Sequence, residues 1–245
     1  MQDELRATAV IPAYNEAATI REVAQHTLER VSDVVVVDDG STDDTAGRVA
    51  DLPLRLVRHP ENRGKAASLW SGMQAALQAG SDFVITLDGD GQHNPEDIPR
   101  LVAEHHTHPR SIVIGARVMN REAAPRLRRF ANRFADFWVS WAAGCRIRDS
   151  QSGFRLYPTP LLQRVRVPHD RAHSFVLESE ILIEAAQLGF GCRAVPIAAC
   201  YPPQARRSHF RPLADIAAIV RMVAGRLLAR GMNPRGLYRV LSARD

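Results

Sequence analysis

Two aspartates separated by a single glycine form the most distinctive chemical pattern in the chain. Asp88 and Asp90 follow an apolar run at residues 83–87, which predicts a buried β-strand ending in a glycine-containing turn. Because Gly89 allows the backbone to bend, the two carboxylates can converge on one point, where they repel each other unless a cation lies between them. Their oxygens, together with the amide oxygen of Gln92, suit Mg²⁺ or Mn²⁺ rather than zinc.

The elements around this turn decide between a metal site and an ordinary turn, since the same residues also suit turn geometry. Short apolar strands alternate with segments of helical periodicity, which is typical of a parallel sheet with helices on both faces. Such sheets bind ligands beyond the carboxyl ends of their strands. Three polar loops follow strand ends here, at residues 12–16, 38–43 and 88–92. Three such loops at one edge favour a binding site over coincidental turns.

Hydrophobic periodicity predicts the individual elements. We expect strands at residues 8–11, 33–37, 54–57, 83–87, 111–115 and 194–199, and helices at 17–31, 44–51, 66–79, 95–106, 121–141, 174–188 and 212–230. A polar loop at 149–157 is expected to enter a further short strand. Pro12 is expected to end the first strand, and Pro196 marks the last as an edge strand. Ser41 or Thr42 could cap the helix at 44–51. The residues after Gly231 are predicted to be irregular.

Composition restricts the class of protein. The 245 residues are 45% hydrophobic and 24% charged, which is ordinary for a globular chain. We expect one α/β domain at residues 1–211, followed at 212–245 by an amphipathic basic helix and a tail. No signal peptide and no run of about 18 apolar residues is apparent, so we expect no transmembrane segment and a cytoplasmic location. The three cysteines lack the spacing of a disulfide framework or a zinc site.

The positive charge of the chain points to an anionic partner. The formal net charge is +5, and most of the excess is arginine after residue 99. The segment at 121–141 combines arginines with Trp138 and Trp141, so it and the helix at 212–230 could contact the inner face of the cytoplasmic membrane peripherally. The same pattern also suits a solvated face over a core. No nucleic-acid partner is expected, because no recognised nucleic-acid module is present.

Five motifs, in order along the chain, resemble those of family 2 glycosyltransferases with the GT-A fold. They are Pro12-Ala-Tyr-Asn-Glu16, Val37-Asp-Asp-Gly-Ser-Thr-Asp43, Asn62-Arg-Gly-Lys65, Asp88-Gly-Asp-Gly-Gln92 and Gln151-Ser-Gly-Phe-Arg155. Within the family, the chain is similar to the branch of dolichyl-phosphate mannose synthase and bacterial polyprenyl-phosphate glycosyltransferases. The resemblance implies a Rossmann-like, mostly parallel sheet and inverting transfer of a hexose. The donor would be a nucleotide sugar of the GDP-mannose or UDP-glucose type, and the acceptor a polyprenyl phosphate or related lipid.

The resemblance also implies roles for individual residues. Those that would bind substrate are Pro12, Tyr14, Glu16, Val37, Asp39, Lys65, Leu87, Asp88, Gly89, Asp90, Gln92, Arg117 and Arg207. A Mg²⁺ or Mn²⁺ ion on Asp88, Asp90 and Gln92 would offset the charge that develops on the leaving nucleoside diphosphate. Asp90 and Arg117 would therefore be catalytic. Arg207 and His209 lie where the family has basic residues that close over the phosphates.

The nature of the acceptor leaves alternatives open. A lipid phosphate is already ionised and needs positioning arginines more than a base. A hydroxyl of a saccharide or small molecule would need a carboxylate base, for which Glu178, Glu180 and Asp149 are candidates. We take Glu178 as the catalytic choice, although an acid at a helix N-terminus is also simply stabilising. Two other classes remain, a non-catalytic nucleotide-binding protein and a nucleotidyltransferase; the second would want a glycine-rich basic loop after the first strand.

Overall fold

A seven-stranded sheet forms the centre of the protein in the computed structural model, which describes residues 5–119, 126–167, 176–198, 200 and 212–242. The strands are β1 (Ala7–Ala13), β2 (Asp33–Asp38), β3 (Arg55–Arg58), β4 (Phe83–Thr86), β5 (Ser111–Arg117), β6 (Arg155–Pro158) and β7 (Gly191–Ile197). Their order in the sheet is β3-β2-β1-β4-β6-β5-β7. Only β6 runs antiparallel to its neighbours, β4 and β5. The predicted α/β fold with a mostly parallel sheet is therefore confirmed.

Helices cover both faces of this sheet. They are α1 (Ile20–Leu28), α2 (Lys65–Gln78), α3 (Ile98–Thr107), α4 (Arg126–Ala143), α5 (Thr159–Leu162), α6 (Val176–Gln187), α7 (Pro212–Leu228) and α8 (Pro234–Ser242). One core lies between the sheet and α2, α4, α6 and α7, and the other between the sheet and α1 and α3. No helix in the described ranges has the length and apolar character needed to cross a membrane.

The valine run of β2 shows how the sequence builds this arrangement. Val35 and Val37 belong to the first core, whereas Val34 and Val36 belong to the second. Because successive side chains of a strand point to opposite faces, an uninterrupted apolar run is what a strand covered on both sides requires. The polar residues that follow, beginning at Asp38, are thereby placed at the carboxyl edge of the sheet.

Two predicted features of the first half of the chain differ from the structure. The helix expected at 44–51 is wrong; only a 3₁₀ turn forms, at Gly47–Val49. Ser41, expected as a possible cap, instead accepts a hydrogen bond from the backbone N–H of Asn15 at 2.9 Å, so its hydroxyl connects two loops. The first strand also continues through Pro12 to Ala13. Beyond Val10, β1 pairs only with β2, so the missing N–H of Pro12 can face an unpaired side.

The C-terminal part of the chain also differs from expectation. The tail predicted to be irregular contains α8, whose N-terminus is capped by the side chain of Asn233 accepting from the N–H of Gly236 at 3.1 Å. Upstream of it, α7 packs on α4 and α6 and contributes Met222, Val223 and Leu227 to the main core. The prediction that β7, which contains Pro196, is an edge strand is confirmed.

Candidate active site

The three polar loops meet at the carboxyl ends of β1, β2 and β4. Asn15 connects the first two, because its carboxamide oxygen accepts from the N–H of Thr42 at 2.7 Å. Thr19 connects the first loop region to the acidic turn by donating its hydroxyl to the carbonyl of Gly89 at 2.7 Å. A Cβ at Gly89 would lie 3.2 Å from the carbonyl oxygen of Pro12, so this turn packs closely on β1. The expected convergence of the loops at one edge is present.

Asp39, predicted to contact the nucleotide, holds the loop that leads from β3 to α2. Its carboxylate accepts from the N–H groups of Arg63 at 3.0 Å and Gly64 at 2.8 Å, and it lies 2.7 Å from Nδ1 of His59. Gly64 has a φ of 87°, which glycine adopts at no steric cost. These contacts set the start of α2, whose first residue is Lys65. In this structure Asp39 therefore acts by positioning Lys65.

Asp88 lies at the centre of a network of charges. Its carboxylate is 2.7 Å from Nζ of Lys65, and the same ammonium group is 3.4 Å from Oε2 of Glu178. Burial is the largest single influence and works to raise the pKa of Asp88, but the interactions with Lys65, His93 and Arg117 together outweigh it and hold this pKa at about 2. Lys65 is the only lysine in the chain, in which Lys and Arg together number 32. The network thus places the one compact, non-planar cationic side chain against the first aspartate of the motif.

The negative charge of Asp88 disfavours ionisation of Asp90. Burial and, after it, the charge of Asp88 raise the pKa of Asp90, while its Oδ1 accepts from the N–H of Gln92 at 3.0 Å. Two carboxylates that disfavour each other's ionisation are the arrangement in which a bound cation is most stabilising. The side chain of Gln92 is half-buried next to them.

The backbone of Gly153 lies close to the carboxylate of Asp88 and the ammonium group of Lys65. A Cβ at Gly153 would lie 2.8 Å from Oδ2 of Asp88 and 3.0 Å from Nζ of Lys65, so a larger residue would crowd this carboxylate. Within the described ranges, no three His, Cys, Asp or Glu side chains group together as a metal site. Mg²⁺ is commonly held by one or two carboxylates together with substrate phosphates, and Asp88 and Asp90 fit that mode.

Arg117, at the end of β5, is fixed by Asp149. Its Nε and Nη2 each donate to the Asp149 carboxylate at 2.9 Å, and its backbone N–H donates to it at 2.8 Å. Burial works to raise the pKa of Asp149, but the hydrogen bonds from Arg117 lower it. The N–H groups of Asp149 and Ser150 in turn donate to Asp136 of α4, at 3.1 and 2.7 Å. Asp149 therefore orients Arg117, which argues against its use as a base.

Glu178 faces Lys65 from the first turn of α6. The residue is 7% exposed, and its Oε1 has no hydrogen-bond partner in the structure. Arg155, fully buried in β6, donates to the backbone carbonyls of Ser150, Ser152 and Glu178, each at 2.7 Å. Arg155 thus fixes the turn before β6 to the start of α6 through backbone carbonyl groups. The first turn of α6, fixed in this way, carries Glu178, whose Oε1 has no hydrogen-bond partner and whose Oε2 contacts Lys65.

The remaining predicted residues are distributed as follows. Tyr14 and Glu16 are half-buried on the first loop. Pro12, Val37 and Leu87 are buried, so any contact they make with a ligand would use the backbone. Arg207 and His209 lie outside the described residues. Four further residues of the site were not predicted from the sequence, because no local pattern marks their long-range contacts. They are Thr19, His59, His93 and Asp136.

His93 provides a test of how tightly the acidic turn is packed. Its Nδ1 accepts from the N–H of Asp88 at 3.3 Å, and burial lowers its pKa from 6.5 to about 4. As the pH falls below 6.5, the unfolded chain binds a proton that the folded chain rejects until about pH 4, so stability should fall across this window. The loss should approach about 3 kcal/mol. In the His93→Asn variant, the free energy of unfolding, measured by chemical denaturation at several pH values, should change less with pH than in the wild type.

The control for this experiment is His106→Asn, which changes an exposed histidine of α3. It should retain the wild-type slope between pH 6.5 and about 4. An unchanged slope in the His93 variant would contradict the role assigned to burial of this ring.

The fold and the residues at its edge define a class of protein. A mostly parallel sheet that carries an acid pair and converging cationic side chains at its carboxyl edge is the architecture of a GT-A glycosyltransferase. Residues 8–165 match the family model described as Glycosyl transferase family 2, and the chain belongs to this family.

Named relatives and a solved structure extend this comparison. The chain is 28% identical over 213 residues to UDP-N-acetylglucosamine–dolichyl-phosphate N-acetylglucosaminyltransferase of Methanococcus voltae, covering 78% of this chain and 84% of that protein. It is 27% identical over 203 residues to undecaprenyl-phosphate mannosyltransferase of Micrococcus luteus, covering 79% and 83%. Glucosyl-3-phosphoglycerate synthase of Mycobacterium tuberculosis, solved with Mn²⁺, UDP and glucosyl-3-phosphoglycerate, is similar with a TM-score of 0.63 and 26% identity, covering 92% and 80%.

Proposed function

We propose that the protein is a metal-dependent, inverting hexosyltransferase that moves a sugar from a nucleoside diphosphate to a polyprenyl phosphate. The observation that carries the proposal is the Asp88–Asp90 pair, which faces Lys65 and Glu178 at the carboxyl edge of the sheet. Two relatives are named for transfer to dolichyl or undecaprenyl phosphate, and a structural neighbour was solved with UDP and Mn²⁺.

The residues of the site divide the work of binding the donor. Asp88, Asp90 and Gln92 would hold Mg²⁺ or Mn²⁺, which when bound supplies positive charge to offset that of the leaving nucleoside diphosphate. Lys65 and Arg117 add cationic groups that are already oriented by Asp88 and Asp149. Because Asp149 sets the direction of Arg117 before substrate arrives, this cation needs little reorganisation when phosphate oxygens bind.

The acceptor we propose is a lipid phosphate met at the inner face of the cytoplasmic membrane. Its phosphate oxygen is ionised near neutral pH and attacks without a base, so orientation by arginine is what the protein must supply. Arg117 is suited to this task, because Asp149 fixes its side chain and Asp136 fixes the turn that carries Asp149.

A second candidate, transfer to a hydroxyl group, is favoured by one observation. Oε1 of Glu178 is buried without a hydrogen-bond partner, as a carboxylate awaiting a hydroxyl proton would be. The variant Glu178→Gln separates the two acceptors. With a phosphate acceptor we expect a loss of less than about tenfold in kcat, because no proton is abstracted, whereas a hydroxyl acceptor predicts about 10² to 10⁴-fold. Glu104→Gln on α3 is the matched control.

The proposal is tested by a donor screen. GDP-mannose, UDP-glucose and UDP-GlcNAc are each incubated with the full chain and a polyprenyl phosphate, with Mn²⁺ or with a chelator. We expect one donor to yield a glycosyl lipid, and only when the metal is present. Transfer to glycerate or saccharide hydroxyls, with none to the lipid phosphate, would replace the proposed acceptor by the second candidate.

A further inference from the structure

Exposed apolar residues are concentrated on one layer of helices. The described residues include nine large hydrophobic side chains that are exposed, and seven belong to α4, α7, α8 or the turn between the last two. These seven, which we call the helical surface, are Phe130, Phe134, Val220, Leu228, Met232, Tyr238 and Leu241. Single exposed apolar residues are ordinary, but a concentration on adjoining helices indicates an interaction surface.

On α4 the apolar character follows a row of aromatic rings. Phe137 and Trp138 lie between Phe134 at the outer end and Trp141 at the inner end, with 5.1 Å between the ring centroids of the two tryptophans. Trp141 donates its Nε1–H to the carbonyl of Met232 at 2.9 Å, which holds the turn before α8. Trp141, at the inner end of the row, thus stabilises the turn before α8. The outer end of the row continues to Phe130, whose side chain is 69% exposed.

On α8 an apolar strip runs alongside a basic one. Tyr238 and Leu241 are one helical turn apart and 73% and 69% exposed. Arg235 and Arg239, also one turn apart, are exposed beside them, while Gly236 is buried against the protein. A short helix with adjacent apolar and arginine strips is suited to the boundary between lipid headgroups and acyl chains.

The charge of this layer selects the partner. The helices α4, α7 and α8 contain two acids, Asp215 of α7 and Asp136 of α4, and Asp136 accepts hydrogen bonds from the backbone of residues 149 and 150. The same helices and the turn after α7 also carry exposed arginines, namely Arg133, Arg221, Arg230, Arg235 and Arg239. An anionic bilayer complements both the charge and the apolar residues. A second copy of the chain could cover the apolar residues, but a two-fold contact would bring two arginine-rich surfaces together, so it does not complement the charge.

The helical surface is also connected to the active site. Asp136 of α4 holds the turn whose Asp149 orients Arg117. On the other side, Arg226 of α7 lies 3.5 Å from Glu180 of α6, the helix whose first turn carries Glu178. Both groups assigned to the acceptor are therefore tied to helices that carry the surface.

We propose that the helical surface seats the protein on an anionic lipid bilayer, with Tyr238 and Leu241 inserted among the acyl chains and the arginines on the headgroups. This inference rests on the proposed lipid-phosphate acceptor. Beyond that function, the inference identifies the part of the protein that contacts the membrane, which includes α8.

Co-sedimentation of the full chain with vesicles tests the surface. We expect binding to phosphatidylcholine vesicles containing phosphatidylglycerol, and much weaker binding to phosphatidylcholine alone. Tyr238→Ser with Leu241→Ser, and separately Arg235→Glu with Arg239→Glu, should each weaken binding by at least about tenfold. Leu5→Ser, and Arg55→Glu with Arg193→Glu on the two edge strands, are matched controls that should bind normally. Equal binding by the variants and the controls would overturn the proposal.

Two further measurements separate this surface from the proposed reaction. Transfer to a short, water-soluble prenyl phosphate should be unchanged in the α8 variants, whereas transfer to a polyprenyl phosphate embedded in vesicles should fall with binding. If the wild-type chain transfers to neither acceptor, the proposed function fails while the vesicle assay still decides the surface. If the α8 variants convert a dimer to a monomer and bind vesicles normally, the surface is a self-interface and the proposal is wrong.

Discussion

Replacing Asp90 by asparagine is expected to reduce sugar transfer by at least about 10² to 10³-fold while making the metal-free protein more stable. The asparagine oxygen can still accept from the N–H of Gln92, so the turn should keep its shape. It removes a charge whose ionisation is opposed by burial and by Asp88, which together raise the pKa of Asp90. Since ionised Asp90 destabilises the fold at neutral pH, its neutralisation should raise the melting temperature.

Thermal unfolding with and without Mn²⁺ measures both effects. The wild-type protein should be stabilised by Mn²⁺, because a ligand that binds only the folded state raises its stability, and the Asp90 variant should respond far less. Asp51→Asn, which alters an exposed carboxylate paired with Arg21, should keep both transfer and the Mn²⁺ response. Normal turnover by Asp90→Asn would contradict the catalytic role of this residue.

Replacing Lys65 by methionine is expected to destabilise the protein by about 2 to 4 kcal/mol and to abolish efficient transfer. The ammonium group lies between two acids, at 2.7 Å from Asp88 and 3.4 Å from Glu178, and the latter is buried. Methionine is similar in length but leaves both carboxylates without this partner. Such unpaired charges are costly inside a protein.

The stability difference should depend on pH in a defined direction. Lys65 makes the largest contribution among the groups that together hold the pKa of Asp88 at about 2, below its ordinary 3.8, so this contribution is present above pH 3.8 and is lost as the pH falls towards 2. Urea denaturation of both proteins should therefore converge in acid. Mn²⁺ should stabilise Lys65→Met more than the wild type, since the ion replaces the missing charge beside Asp88. An equal response to Mn²⁺ would contradict competition between Lys65 and the ion.

Lys65→Arg gives a further comparison, because it keeps the charge. A planar guanidinium cannot substitute for a compact ammonium between two acids where Gly153 leaves little space. We expect this variant to retain most of the stability lost in Lys65→Met but to transfer sugar poorly. Recovery of full activity would show that only the charge of Lys65 matters.

Local patterns in the sequence were sufficient for the sheet and for the acidic turn. The valine run of β2 and the apolar run ending at Asp88 each specify a strand covered on both faces, because burial and backbone pairing depend on consecutive residues. Once the strands are parallel, their polar ends must share an edge, so the meeting of the loops around Asn15 and Gly89 followed from the order of elements.

Local patterns failed where side chains had a choice of partner. Ser41 could cap a helix or bind a neighbouring loop, and in the folded chain it binds Asn15, so the expected helix shrinks to a turn at Gly47–Val49. The opposite error occurred at α8, where the Asn233 cap and its hydrogen bond to the carbonyl of Trp141 support a helix that is short and contains Gly236, a poor helix former.

The amino-acid sequence by itself determined the class of this protein: a GT-A sheet, an acid pair after its fourth strand, and membership of glycosyltransferase family 2. Only the tertiary structure decided how the site is held. It paired Lys65 with Asp88 and Glu178, Arg117 with Asp149, and Asp39 with the loop before α2. The physical reason is that strands and turns arise from neighbouring residues, whereas electrostatic pairing depends on distances that exist only after distant segments pack together.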